Sequence, residues 1–137
     1  MSQIAVVYWS GTGHTQAMAE AVAQGAGAVL YTADEFTPAK AADVDKIAMG
    51  CPAMGSEVLE ESEFQPMFDA CKDVLCGKKA VLFGSYGWGN GEWMQTWEDD
   101  CRAAGIELVA ESVICQDEAD ADVLAQCTAL GETLKKA

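Results

Sequence analysis

Basic residues are scarce in this chain of 137 residues: eight lysines and arginines stand against 22 aspartates and glutamates, a formal net charge of −14. None occurs before Lys40. An acidic surface of this kind repels nucleic acid and anionic membranes at long range, so basic proteins are the expected macromolecular partners. Long apolar runs are missing too, none approaching the roughly 18 residues that a membrane span needs. The N-terminal MSQIAVVYWSGTG lacks the basic n-region of a secretory signal and runs directly into a first strand, so a cytoplasmic location is expected. Histidine occurs once, at His14, and Cys51, Cys71, Cys76, Cys101, Cys115 and Cys127 form no CxxC pair, which argues against a structural zinc or iron–sulfur centre. What the chain does have is a half share of hydrophobic residues, enough to exclude disorder. Its length suits one domain, taken as residues 1–137.

Short apolar runs alternate with segments of helical period, the pattern of a parallel sheet covered on both faces. Strands are expected over residues 3–8, 28–32, 46–51, 79–85 and 107–115. Helices are expected over 15–24, from Ser62 to Gly77 (opened by the capping-box pattern SEFQ), from Glu92 to Gly105, and through Val123, Leu124, Cys127, Leu130 and Leu134. Residues 33–45 read as a linking stretch where a regular repeat would place another helix. Right-handed crossovers turn this order into an open, doubly wound α/β sheet, a three-layer α-β-α sandwich. Such sheets bind ligands beyond the carboxyl ends of their strands, here after Tyr8, Cys51, Ser85 and Cys115.

The first of those places holds WSGTGHT, residues 9–15. A glycine-rich turn entering a helix presents backbone N–H groups and the positive end of the helix dipole, and Ser10, Thr12 and Thr15 add hydroxyls. A third Rossmann glycine is missing, since position 16 is glutamine, and no GK[ST] of a Walker loop is present. With no cation nearby, a triphosphate would go unneutralised, whereas one terminal phosphate can be held by neutral donors. The loops after the third and fourth strands read CPAMGSEVLEESE and GSYGWGNGEW. In the latter, glycines alternate with Tyr86 and Trp88, so amides can face a ligand's edge while the indole stacks on its face. Met54 offers a polarizable thioether for the other face, and Glu57 an acceptor for a ring N–H. A phosphate at one end and a flat heteroaromatic ring at the other describe a mononucleotide.

YWSGTGHT, CPAMGSEVLEESEF and GSYGWGNGEWM resemble the three flavin-contacting segments of the short-chain flavodoxins, and the likeness extends over essentially the entire chain. The resemblance implies a five-stranded parallel sheet in order 2-1-3-4-5 and non-covalently bound FMN. Matched position by position, Ser10, Gly11, Thr12, Gly13, His14 and Thr15 form the phosphate loop. Ala53, Met54, Gly55, Ser56 and Glu57 form the second segment; Met54 and Trp88 sandwich the isoalloxazine and Glu57 partners flavin N3. Gly87, Trp88 and Gly89 bring amides toward N1 and O2, with Ser85 and Tyr86 near the ribityl chain. Asp117, beside Gln116, lies in a loop that approaches the cofactor in the family. His14 departs from the family's usual asparagine and adds a titratable donor at the phosphate.

The implied function is that of an electron-transfer protein, not an enzyme: a low-potential one-electron carrier cycling mainly between semiquinone and hydroquinone. In the family, a peptide flip at Gly55-Ser56 presents the Gly55 carbonyl to N5–H after one-electron reduction, and glycine makes that flip cheap. Neutralising Glu57, Glu60, Glu61 or Glu63 is expected to raise the second potential. The implied partners are redox proteins with basic docking surfaces, met by a monomer. Two other readings stay open at this point: an FMN-dependent NAD(P)H quinone or azo reductase, and a non-redox receiver-like signalling module, although a receiver has an aspartate where this chain has Cys51-Pro52.

Overall fold

The structure, a computed structural model, describes residues 4–11, 13–53, 60–86, 91–116 and 119–137. Strands β1 (Ile4–Tyr8), β2 (Val29–Thr32), β3 (Lys46–Gly50) and β4 (Lys79–Tyr86) are joined by helices α1 (His14–Ala26), α2 (Pro38–Asp43) and α3 (Phe64–Cys71). Helix α4 (Glu92–Ala103), strands β5 (Glu107–Leu108) and β6 (Val113–Gln116) and helix α5 (Ala121–Lys136) follow. All pairings are parallel, in the order β2-β1-β3-β4-β5, with β6 also on β4. The expected order 2-1-3-4-5 is therefore the one found.

Alternation along the central strands splits the core into two layers. Ala5, Val7, Ile47, Met49, Ala80 and Leu82 pack with Phe36, Ala41, Phe64, Phe68, Trp93 and Trp97, beneath α2, α3 and α4. Their neighbours Val6, Tyr8, Ala48, Val81 and Phe83 face the other way, onto Met18, Val22, Cys127, Leu130 and Leu134 of α1 and α5. A strand with both faces buried has no place for a polar residue, which is why these segments read as unbroken apolar runs. Helices α1 and α5 touch backbone to backbone: a Cβ on Gly25 would stand 2.0 Å from the Thr128 carbonyl oxygen, and one on Gly131 would stand 2.2 Å from that of Val22.

Three expectations need correction. The stretch 33–45 is not a plain link, because it holds a 3-10 turn (Ala33–Glu35) and α2. Thr37 Oγ1 accepts from Lys40 N at 3.3 Å and Pro38 sets the first turn, so six residues suffice once Phe36, Ala41 and Val44 are buried. The strand expected over 107–115 is two segments. Ala80 pairs with Leu108 and Phe83 with Val113, so four residues (109–112) span what two cover on β4. The excess is even, which keeps Leu108 and Ile114 on one face and Val113 and Cys115 on the other. Finally, α3 begins at Phe64, ends at Cys71 and has no side-chain cap at its N-cap position; Ser62 does not cap it, and residues 72–77 are turns.

Candidate functional site

The carboxyl ends of β1, β3, β4 and β6 lie along one edge, and hydrogen bonds extend the sheet beyond them. Trp9 N donates to Gly50 O at 3.1 Å, Cys51 N to Phe83 O at 3.2 Å, and Ala53 N to Ser85 O at 2.9 Å. Tyr86 stands opposite Gln116 in register. Trp93, buried under the edge, donates from Nε1 to the Cys51 carbonyl at 3.3 Å and holds its ring 5.5 Å from that of Tyr86. Gly84 leaves room for this carbonyl, since a Cβ there would stand 2.2 Å from it.

Helix α1 starts in a way suited to an anion. Gly13 adopts φ +94°, a left-handed conformation that favours glycine, and serves as N-cap without a side-chain cap bond. No acidic residue lies in the first turn of α1 to occupy the positive end of the helix dipole. Ser10 Oγ accepts from Gly13 N at 2.9 Å, which folds the loop over itself and leaves the Ser10 hydroxyl hydrogen to be donated outward. Thr15 Oγ1 lies 3.0 Å from Ser85 Oγ, and both side chains are buried. One hydrogen occupies that bond, so the pair retains one more to give. Gly11 passes beneath the Trp9 indole, 3.0 Å from where its Cβ would be, and His14 opens the helix, half-buried.

A cleft of about 220 Å³ adjoins the loop between the ends of β1 and β2, with Trp9, Ser10, Gln16, Asp34 and Glu63 among its walls. Trp9 Nε1 donates to Glu63 Oε1 at 3.4 Å across it.

The second loop is described at its two ends, Cys51–Ala53 and Glu60. Sequence reading treated Glu60 as one acid among several. In the fold it is a buried carboxylate that accepts from Ser62 N, Ser62 Oγ, Glu63 N and Phe64 N, and so caps α3 from four residues upstream. Burial pushes this carboxyl up, but the Ser62 hydroxyl and the three backbone N–H groups outweigh it and hold the group below its ordinary value. An acid shortly before an apolar helix with no competent N-cap is the only signal the sequence carries for this role.

The structure thus brings Ser10, Gly11, Gly13, His14, Thr15, Ala53, Ser85 and Tyr86 to one edge. Thr12, Met54, Gly55, Ser56, Glu57, Gly87, Trp88, Gly89 and Asp117 lie outside the described residues. None of the six cysteines is in a disulfide, and of the six Cys76 alone is exposed. Burial above all pushes Cys51, Cys101 and Cys127 up to about 12, so they are neutral at physiological pH. Among the described residues, no group of His, Cys, Asp and Glu is arranged to hold a metal ion, and no helix is long and apolar enough to cross a membrane.

Neutral hydroxyls, an N-cap without an acceptor side chain and a chain with no lysine or arginine before Lys40 fit a phosphate monoester. With Ser85 and Tyr86 ending β4 on the same edge, the fold is that of a doubly wound α/β protein with an anion-suited helix start beside the carboxyl ends of its strands. The flavodoxin family profile matches residues 6–131, and the chain belongs to that family. It is 42% identical over 140 residues to a flavodoxin of Megasphaera elsdenii, covering 98% of this chain and 99% of that one. A flavodoxin of Clostridium beijerinckii is also 42% identical, over 123 residues, or 84% of this chain and 87% of that one. The solution structure of two-electron reduced Megasphaera elsdenii flavodoxin superposes with a TM-score of 0.87 at 40% identity, covering 98% of this chain and all of that one. The chain is accordingly an FMN-binding electron carrier, an electron-transfer protein that works with redox partners.

Proposed function

We propose that residues 1–137 form one FMN domain that carries single electrons at low potential between soluble partners in the cytoplasm, as a monomer. The observation that carries this reading is the start of α1, where a helix end with no side-chain cap and no acidic residue in its first turn meets the Thr15–Ser85 hydroxyl pair. Ser10, Thr12, His14 and Thr15 hold the phosphate with their backbone amides. Met54 and Trp88 cover the two ring faces, Glu57 accepts from N3, and Gly87 to Gly89 donate amides toward N1 and O2. Ser85 and Tyr86 lie near the ribityl chain, Ala53 belongs to the second contacting segment, and Asp117 belongs to the loop that approaches the cofactor.

FMN, when bound, supplies two successive one-electron steps, of which the lower-potential one is the working couple. The chain's part is to set their levels. Gly55 and Ser56 present or withdraw a backbone carbonyl at N5, holding its proton, and Trp88 keeps water from the ring. Glu61 and Glu63, both exposed, add negative potential near the ring and orient the protein toward basic docking surfaces. Glu60 is buried and contributes little to such a surface.

Titration of apoprotein with FMN, followed by potentiometry and by salt-dependent reduction of a basic redox partner, tests the reading. Tight binding, a low second potential and rates that fall with ionic strength are expected. Steady NAD(P)H consumption by the isolated holoprotein would overturn it in favour of a reductase.

A further inference from the structure

Cys51 and Glu60 stand at the two ends of residues 52–59, and those two residues are bonded to each other. Glu60 N donates to Cys51 Sγ at 3.3 Å. Cys51, with no exposed surface, is itself fixed through its N–H to Phe83 O and through its carbonyl to Trp93 Nε1. On the other side, Glu60 O accepts from Gln65 N at 2.8 Å, and the carboxylate takes Glu63 N at 2.7 Å and both Phe64 N and Ser62 N at 2.9 Å, with Ser62 Oγ as fourth donor. One residue thus joins the sheet to the first turn of α3.

Capping an eight-residue helix does not require this arrangement, because an Asp, Ser or Thr at the N-cap would do it from the surface. Glu60 instead carries its carboxylate into the fold at 6% exposure, a costly placement that its four donors sustain. What this placement adds beyond a cap is that position 60 itself cannot drift from Cys51. The two ends of residues 52–59 are thus held to each other and by buried groups.

We propose that Cys51 and Glu60 form a latch that fixes the loop carrying Met54, Gly55, Ser56 and Glu57 against the flavin, making both positioning residues for the cofactor. This rests on the reading that residues 54–57 face the flavin. An unlatched loop would still contain every contacting side chain, but would present them to the ring in many arrangements, so ring affinity and the balance between the two one-electron steps would both suffer.

The test compares Glu60→Gln, Cys51→Ala and Ser62→Ala with the parent, and uses Glu57→Gln as a control for the site. Cys51→Ala removes the thiol and leaves the Glu60 carboxylate on its donors, so it separates latch from cap. Ser62→Ala removes one cap donor and leaves the latch. For each holoprotein, the FMN dissociation constant and the two one-electron midpoint potentials are measured, together with the melting temperature of the apoprotein. Glu60→Gln and Cys51→Ala are expected to weaken FMN at least tenfold and to change the ratio of the two reduction constants at least tenfold, about 59 mV in the gap between potentials. Ser62→Ala should change both less than threefold. If Glu60→Gln and Cys51→Ala lower the melting temperature yet leave affinity and gap within threefold while Glu57→Gln moves them, Glu60 is a helix cap only and the latch is refuted. If Glu57→Gln also moves neither, the assignment of residues 54–57 to the flavin fails, and the latch with it.

Discussion

Replacing Thr15 with alanine should weaken FMN while sparing its phosphate-free analogue riboflavin. Thr15 sits in the first turn of α1, 1% exposed, with its hydroxyl 3.0 Å from that of Ser85. Two hydroxyls carry two hydrogens; one is spent between them, and the other is directed by the pair as a unit. When it goes to a phosphate oxygen, it is a hydrogen bond to a charged group, contributing about 1.5–3 kcal/mol. Removing it should therefore raise the FMN dissociation constant about 10- to 150-fold. The lost methyl and the stranded Ser85 hydroxyl also destabilise the fold, by about 1–3 kcal/mol, but that penalty falls on apoprotein and holoprotein alike. Ser85→Ala removes the hydroxyl that orients Thr15 and should have the smaller effect on affinity, and the double variant should be much less than additive because the two act as one unit. Quenching of flavin fluorescence on titration into apoprotein measures the FMN and riboflavin dissociation constants of the parent and the three variants. Equal weakening of FMN and riboflavin by Thr15→Ala, or no change for FMN, would refute the assignment of this hydroxyl to the phosphate.

Gly25→Ala forces a Cβ to within 2.0 Å of the Thr128 carbonyl oxygen, so about 1–3 kcal/mol of overpacking should exceed the gain of about 1 kcal/mol in helix propensity. At about 0.3 kcal/mol/K of unfolding entropy for a chain of this length, thermal denaturation should shift down by up to about 7 °C for a net loss of up to about 2 kcal/mol; a higher melting temperature would show the two helices to have room. Because the folded Glu60 carboxyl lies below its ordinary value of 4.5, its contribution to stability is complete above that value and drains away as pH falls through the lower folded one. Urea denaturation of Glu60→Gln should accordingly differ most from the parent at neutral pH and converge with it in acid, and parallel curves would contradict this. Gly55→Ala should shrink the fraction of one-electron-reduced protein at half-reduction, and an unchanged fraction in spectroelectrochemical titration would count against the peptide flip. Glu61→Gln and Glu63→Gln should each raise the second potential by on the order of 20 mV, the Coulomb energy of a unit charge about 10 Å away in water, and no upward trend would remove the electrostatic account.

Most of the architecture was readable because the central strands are buried on both faces, and an apolar run bounded by helical segments has few other interpretations. The place of the glycine-rich turn between β1 and α1 was equally plain, and its glycine spacing, its hydroxyls and the missing lysine each bear on the proposed phosphate chemistry. What escaped depends on partners far away in sequence. Helix α2 is only six residues long, too short to show a period, and is held by burial of Ala41 and by Pro38 and Thr37 at its start. The two additional residues in the fifth strand position become visible only when counted against β4. Ser62 has the right chemistry for a cap, yet Glu60 reaches the same N–H groups from inside and displaces it. Ser85 was placed near the cofactor, but its bond to Thr15, 70 residues earlier, has no local signature.

The contact between α1 and α5 also bears on when the protein can acquire its cofactor. Helix α1 is among the first elements to leave the ribosome, but its Met18 and Val22 are covered by Cys127, Leu130 and Leu134, and its backbone is seated against Gly131. The helix that opens at the anion loop therefore rests on the sheet alone, with its packing incomplete, until α5 has been synthesised and docked. Flavin loading is consequently a late event in the life of the chain, and a nascent polypeptide stalled at Asp120, just short of α5, should bind FMN far more weakly, although every residue proposed to touch the cofactor has already been made.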